Sequence, residues 1–134
     1  MIFGVTGNTY KLNKNYLEKV AKAAFSVLGE KKGEIVLTFI SENKMSELNT
    51  KYRHKAGPTD VLSFILDPAP LIGQIVICYT KAREQAMEFE SSLLQEVTRL
   101  EIHGLCHIYG FDHVRSEDAA KMEKIENKIW EKLK

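Results

Sequence analysis

His103-Gly104-Leu105-Cys106-His107-Ile108-Tyr109-Gly110-Phe111-Asp112-His113 is the stretch around which this chain is organised. The 134 residues include four histidines, and three of them lie here. An even scatter would put only about 0.3 of a histidine in that window. Ser91 and Ser92 offer caps for a helix that runs to about Tyr109. On that helix His103 and His107 are four apart, so they share a face and can share one ion. Gly110 can adopt the left-handed conformation that ends the helix and turns the chain back. Such a turn can bring His113 to the same ion from another side. Three neutral imidazoles with an open fourth position are the donor set of a catalytic zinc site. A structural site closes with four protein ligands, usually including thiolates. Cys106 competes as a ligand, but it lies about 100° around the helix from His107. A free cysteine is commonly just buried.

Working outward, Ile2–Val5 reads as a short edge strand and Asn13–Leu28 as a helix. Leu17, Val20, Ala21, Ala24 and Leu28 form its apolar stripe, and Gly29 is its C-cap. Ile35–Ile40 is a β-branched and aromatic strand. Ser41 caps a helix with Met45, Leu48 and Tyr52 on one side, and a basic loop follows from Arg53 to Pro58. Asp60–Leu66 is a strand that Pro68 and Pro70 break. Gly73–Tyr79 is nearly all apolar in its second half, which marks a central strand. Thr80–Glu90 is helical. Ser116 caps a last helix, with Glu117 and Asp118 at its positive end and Met122, Ile125, Ile129 and Leu133 as its buried stripe. Strands and helices alternate unevenly, which predicts an α+β fold. The expectation is one domain over residues 1–134, with a three- to four-stranded mixed sheet, about five helices and the histidine site at the end of a central helix.

Composition bounds the function. Lys and Arg number 19 and Asp and Glu 18, a formal net charge of +1. That balance excludes a highly basic nucleic-acid tail and an acidic solvating chain. It conceals an asymmetry, however. Residues 1–60 carry 10 basic and 6 acidic side chains, and residues 61–134 carry 9 and 12. The longest apolar run, Ile75–Tyr79, falls far short of the ~20 residues that span a membrane. Met1–Asn15 has no apolar core of the kind a signal peptide needs. Two cysteines, Cys78 and Cys106, are too few for a disulfide scaffold and suit a reducing cytoplasm.

The histidine spacing matches the metzincin protease pattern H-E-x-x-H-x-x-G-x-x-H at all three histidines and the glycine. The glutamate that serves those proteases as general base is Gly104 here. Glycine can neither take nor deliver a proton, so the donor set is kept and the peptidase machinery is lost. Asp112 is either a turn residue or an orienting partner for a ligand imidazole. Arg99 lies one turn before His103 on the same face, where it either lines the cleft or pairs with a neighbour such as Glu96.

Lys51, Arg53, His54 and Lys55 cluster within five residues. Cations favour a helix C-terminus, and arginine also grips phosphate bidentately. Spacing alone slightly favours the first explanation. The resemblance of the chain points the other way. The histidine stretch stands with Leu48-Asn49-x-x-Tyr52-Arg53-x-Lys55-x-x-Pro58-Thr59-Asp60-Val61-Leu62-Ser63-Phe64 and Gly73-x-Ile75-x-Ile77-Cys78. Together these blocks resemble the YbeY family of bacterial endoribonucleases. The similarity runs from about Leu37 to the final helix. Three positions depart from the family: Gln74 stands where an acidic residue is more common after the glycine, Leu66-Asp67-Pro68 shifts the proline that commonly follows the Ser-Phe pair, and the surroundings of Cys106 are less usual.

The resemblance implies zinc held by His103, His107 and His113, one ion per chain, with other divalent transition metals also accommodated. It implies that Arg53 is the cleft arginine, with Arg53 and His103 in catalysis and Arg53 and Lys55 on the substrate. It implies single-stranded RNA as substrate, notably in ribosomal RNA maturation and ribosome quality control. Ribosomal subunits, a ribosomal protein or a GTPase are then the partners, in the cytoplasm. Two alternatives stand beside it: a metzincin-type zinc peptidase, which Gly104 disfavours, and a non-catalytic ribosome-assembly factor with structural zinc.

Overall fold

The computed structural model describes all residues, 1–134. Its elements, in order, are β1 (Ile2–Thr6), α1 (Lys14–Leu28), β2 (Gly33–Ile40), α2 (Glu42–Arg53), β3 (Val61–Pro68), β4 (Leu71–Cys78), α3 (Tyr79–Glu88), α4 (Leu93–Ile108) and α5 (Ser116–Lys132). The expected α+β architecture is present, with four strands and five helices. The sheet order is β1-β2-β4-β3. β1 and β4 run parallel to β2, and β3 runs antiparallel to β4. β4 is therefore interior, as its apolar run predicts.

Alternation along β4 divides the core in two. Ile75 and Ile77 point to the face covered by α1 and α4, where Leu17, Val20, Ala21, Leu100 and Leu105 close the main core. Val76 and Cys78 point to the other face and pack with Met45 of α2 and Leu62 of β3. Each of the Leu, Ile, Val and Met side chains among these contributes about 1.5–3 kcal/mol by leaving water. Helix starts follow local chemistry. Asn13, Ser41 and Ser92 accept hydrogen bonds from the backbone N–H groups of Tyr16, Lys44 and Gln95.

Two local expectations are corrected. β3 runs through Pro68 rather than ending before it, because β3 is an edge strand and a terminal proline there forfeits no ladder bond that matters. Ser116 is the first residue of α5, and Arg115 stands at the cap position with no side-chain cap bond. Tyr52, on the same side of α2 as the buried Met45, is about half exposed, with its ring edge against Phe64 at 5.2 Å between centroids. No helix is long and apolar enough to cross a membrane.

Candidate metal centre and cleft

α4 lies under the sheet and presents Arg99, His103 and His107 at successive four-residue steps. Its end is built by backbone bonds. Gly110 has φ 96°, the Gly110 N–H donates to the His107 carbonyl, and the Phe111 N–H donates to the Cys106 carbonyl. This is a Schellman turn, which only glycine enters cheaply. It also folds the chain so that the Phe111 carbonyl accepts from His107 Nδ1 at 2.8 Å. The same reversal brings His113 beside the helix. One ligating nitrogen from each of His103, His107 and His113 then lies within 4.8 Å of the others.

The chemistry of this donor set calls for a cation. A carbonyl can only accept, so His107 Nδ1 carries the proton. His103 Nδ1 faces the Glu126 carboxylate at 3.1 Å, and there too the proton sits on Nδ1. Both Nε2 atoms are left as lone pairs, and they face each other at 3.1 Å. Two acceptors at that distance repel unless a positive charge lies between them. Burial, followed by the neighbouring His103, holds the His107 imidazole below its ordinary pKa, which keeps it in the ligating form. The residues therefore fit a metal ion with three imidazole nitrogens.

Arg53, at the end of α2, faces the cluster across a cleft of about 450 Å³ that all three histidines line. Its guanidinium makes no ion pair or hydrogen bond within the chain, so its donors are free. The following loop is pinned to α2. Asn49 Nδ2 donates to the Gly57 carbonyl at 2.8 Å, and the Thr50 hydroxyl donates to the Lys55 carbonyl at 3.2 Å. His54 adopts a left-handed φ of 55° to start that loop. Lys55 itself is exposed and lies outside the cleft lining.

Gly104 explains why no glutamate stands in the protease position. An added Cβ would lie 2.8 Å from Ile75 Cγ2 and 3.1 Å from Ser63 Oγ, and the Ser63 hydroxyl donates to the Gly104 carbonyl. The helix approaches β3 and β4 so closely that a side chain at that position would have to displace Ile75. Cys106 is fully buried, with its thiol pushed up to about 12 by burial and then by Glu126, and it is no member of the metal cluster. Asp112 accepts from the Val114 N–H and so braces the turn.

A family model described as Endoribonuclease YbeY matches residues 5–134. The chain belongs to the YbeY endoribonuclease family. A relative from Aquifex aeolicus named Endoribonuclease YbeY is 38% identical over 92% of this chain and 85% of its own length. One of the same name from Bacillus pumilus is 32% identical over 96% and 92%. A Thermotoga maritima protein solved in solution superposes with a TM-score of 0.63 at 28% identity, covering 98% of this chain and 90% of that one.

Within this YbeY fold, sequence reasoning missed two features. Glu126 is the first; it lies on α5, and its only sequence signal is its place beside the Met122–Ile125–Ile129 stripe. The second is that Arg99 does two things at once. Arg99 Nε and Nη2 donate to the Glu96 carboxylate at 2.9 and 2.7 Å, and Gln85 also donates to Glu96 at 2.6 Å. Arg99 thus pairs with Glu96 and lines the cleft as well. The sequence offers these as alternatives.

Proposed function

We propose that this chain is a zinc-dependent endoribonuclease specific for single-stranded RNA. Its role is ribosomal RNA maturation, including 3′-end processing of small-subunit RNA, and ribosome quality control in the cytoplasm. One observation carries the proposal: three imidazoles whose free Nε2 lone pairs need a cation share a cleft with an unpaired arginine. Relatives named as endoribonucleases support the choice of RNA.

His103, His107 and His113 would hold the ion. Zinc, when bound, supplies a Lewis acid for a phosphoryl oxygen and lowers the pKa of water to ~7. Glu126 and the Phe111 carbonyl keep the Nδ1 protons in place and so aim the Nε2 lone pairs. Arg53 binds the scissile phosphate through its free guanidinium edge and offsets charge that grows in the transition state. His103 serves catalysis through the ion it holds. Lys55, with Lys51 and His54, adds sequence-independent attraction for the RNA backbone. Ribosomal subunits, with a ribosomal protein or a GTPase, would deliver the substrate.

A peptidase reading fails on the packing of Gly104, which leaves no room for the required base. A structural zinc site fails on donor count, because no fourth protein ligand joins the three histidines. The test is cleavage of a single-stranded ribosomal RNA fragment by the wild type, His107→Ala and Arg53→Glu. Both variants should lose cleavage. Equal cleavage by all three would mean a contaminating nuclease and end the assignment.

A further inference from the structure

Arg99 belongs to two cavities. It lines the histidine cleft, and it also lines a neighbouring groove of about 410 Å³ with Phe89, Ser91, Gln95, Glu96 and Trp130. The Nε and Nη2 edge of its guanidinium is locked on Glu96, a carboxylate only 3% exposed that Gln85 also holds. Asp60 Oδ2 approaches Nη2 only to 3.9 Å. Nη1 has no partner, so a second donor edge of a pre-oriented guanidinium faces solvent. Arg99 and His103 are one turn apart on α4, a backbone rise of about 6 Å. Phe89 caps the end of α3, is 60% exposed and belongs to neither hydrophobic core cluster. Trp130 of α5 is half-buried across the same groove. A fixed cation beside the exposed Phe89 ring and the half-buried Trp130, opening into a hydrolytic cleft, is an arrangement suited to one nucleotide of a single strand. The phosphate meets the cation and the base stacks on the rings.

We propose that this groove is a nucleotide subsite adjoining the scissile bond: Arg99 binds the neighbouring phosphate of single-stranded RNA, and Phe89 with Trp130 stacks its base. The subsite rests on the nuclease reading of the cleft. Arg53 holds the reacting phosphate and Arg99 the next one, so the strand is gripped at two consecutive linkages and its direction through the cleft is fixed. A base-paired strand cannot offer an unstacked base to Phe89, which gives a physical reason for preferring single strands.

Trp130 is the chain's only tryptophan, so its fluorescence reports on this groove alone. The metal-loaded protein is titrated with a 2′-O-methyl oligoribonucleotide of ten residues. Saturable quenching of Trp130 is expected. Phe89→Ala, at an exposed position outside both hydrophobic clusters, should weaken binding about 5- to 150-fold. Arg99→Gln should lower the slope of log affinity against log salt by about 0.7, the loss of one phosphate contact on a single strand. Arg99→Lys keeps Glu96 paired and guards against misfolding; it should weaken binding with the slope unchanged. The subsite is overturned if the probe does not bind, if it leaves Trp130 emission unchanged, or if Phe89→Ala and both Arg99 variants bind within twofold of wild type. RNA cleavage is scored on the same preparation. A wild type that binds as described without cleaving contradicts the nuclease reading, whereas cleavage without these binding effects contradicts the subsite alone.

Discussion

Replacing Gly104 by alanine tests why the helix and sheet can approach as they do. The added Cβ would lie 2.8 Å from Ile75 Cγ2 and 3.2 Å from Ile75 Cγ1. Carbon contacts are most favourable at about 3.5–4.0 Å, so the closest one falls at least ~0.7 Å inside that optimum. Ile75 is fully buried in an interior strand and cannot swing away. Overpacking of this kind costs about 1–3 kcal/mol. Alanine in a helix returns about 1 kcal/mol relative to glycine. Overpacking wins, and a net loss near 1 kcal/mol is expected, with Tm lower by about 3–5 °C. Ile75→Ala removes both clashing carbons, at its own cost of about 2–5 kcal/mol. In that background Gly104→Ala should become neutral or stabilising, a coupling of about 1–3 kcal/mol. Urea denaturation followed by circular dichroism measures all four proteins. Stabilisation by Gly104→Ala in the wild type, or an identical effect in both backgrounds, would refute the steric argument and reopen the question of a side chain at this position.

Other consequences can be checked directly. Glu126→Gln removes the carboxylate behind His103 and should weaken metal affinity about 10- to 100-fold, measured by competition with a chromophoric chelator; unchanged affinity would show that Glu126 does not orient the ligand. Glu101 is fully buried, and neither carboxyl oxygen has a hydrogen-bond partner. Glu101→Met should therefore raise stability by about 1–3 kcal/mol in chemical denaturation, and a loss would reveal a hidden partner. Cys78 and Cys106 are buried with raised thiol pKa values. The native protein should present no thiol to a disulfide reagent at pH 8 and two after unfolding; fast reaction in the native state would contradict the packing of α4.

The features legible in the sequence are local ones. Ser41 and Ser92 mark helix starts because their side-chain oxygens can satisfy a backbone N–H of the first turn. His103, His107 and Gly110 announce a metal-binding helix end because spacing and one special φ suffice to define it. The interior place of β4 follows from its unbroken apolar run. The hidden features depend on contacts between distant segments. Nothing near Glu126 tells that α5 crosses behind His103. Nothing near Phe89 tells that α3, α4 and α5 meet around a groove containing Arg99. Spacing treated Arg53 and Lys55 alike, yet the end of α2 turns Arg53 into the cleft and the loop leaves Lys55 outside its lining. Spacing also identified Gly104 only as a missing base, whereas the packing of Ile75 and Ser63 makes it a steric requirement.

The central claim is that three histidines hold one functional ion. Its most direct test is the metal content of protein purified from zinc-supplied cells, followed by chelation with a thermal melt and an RNA-cleavage assay on the same sample. The expected result is one transition-metal equivalent per chain, mainly zinc. His107→Ala should lose that metal. Chelation should abolish cleavage and lower Tm, and returning metal should restore both. A folded, RNA-cleaving protein with no stoichiometric metal and no response to chelation would contradict the claim.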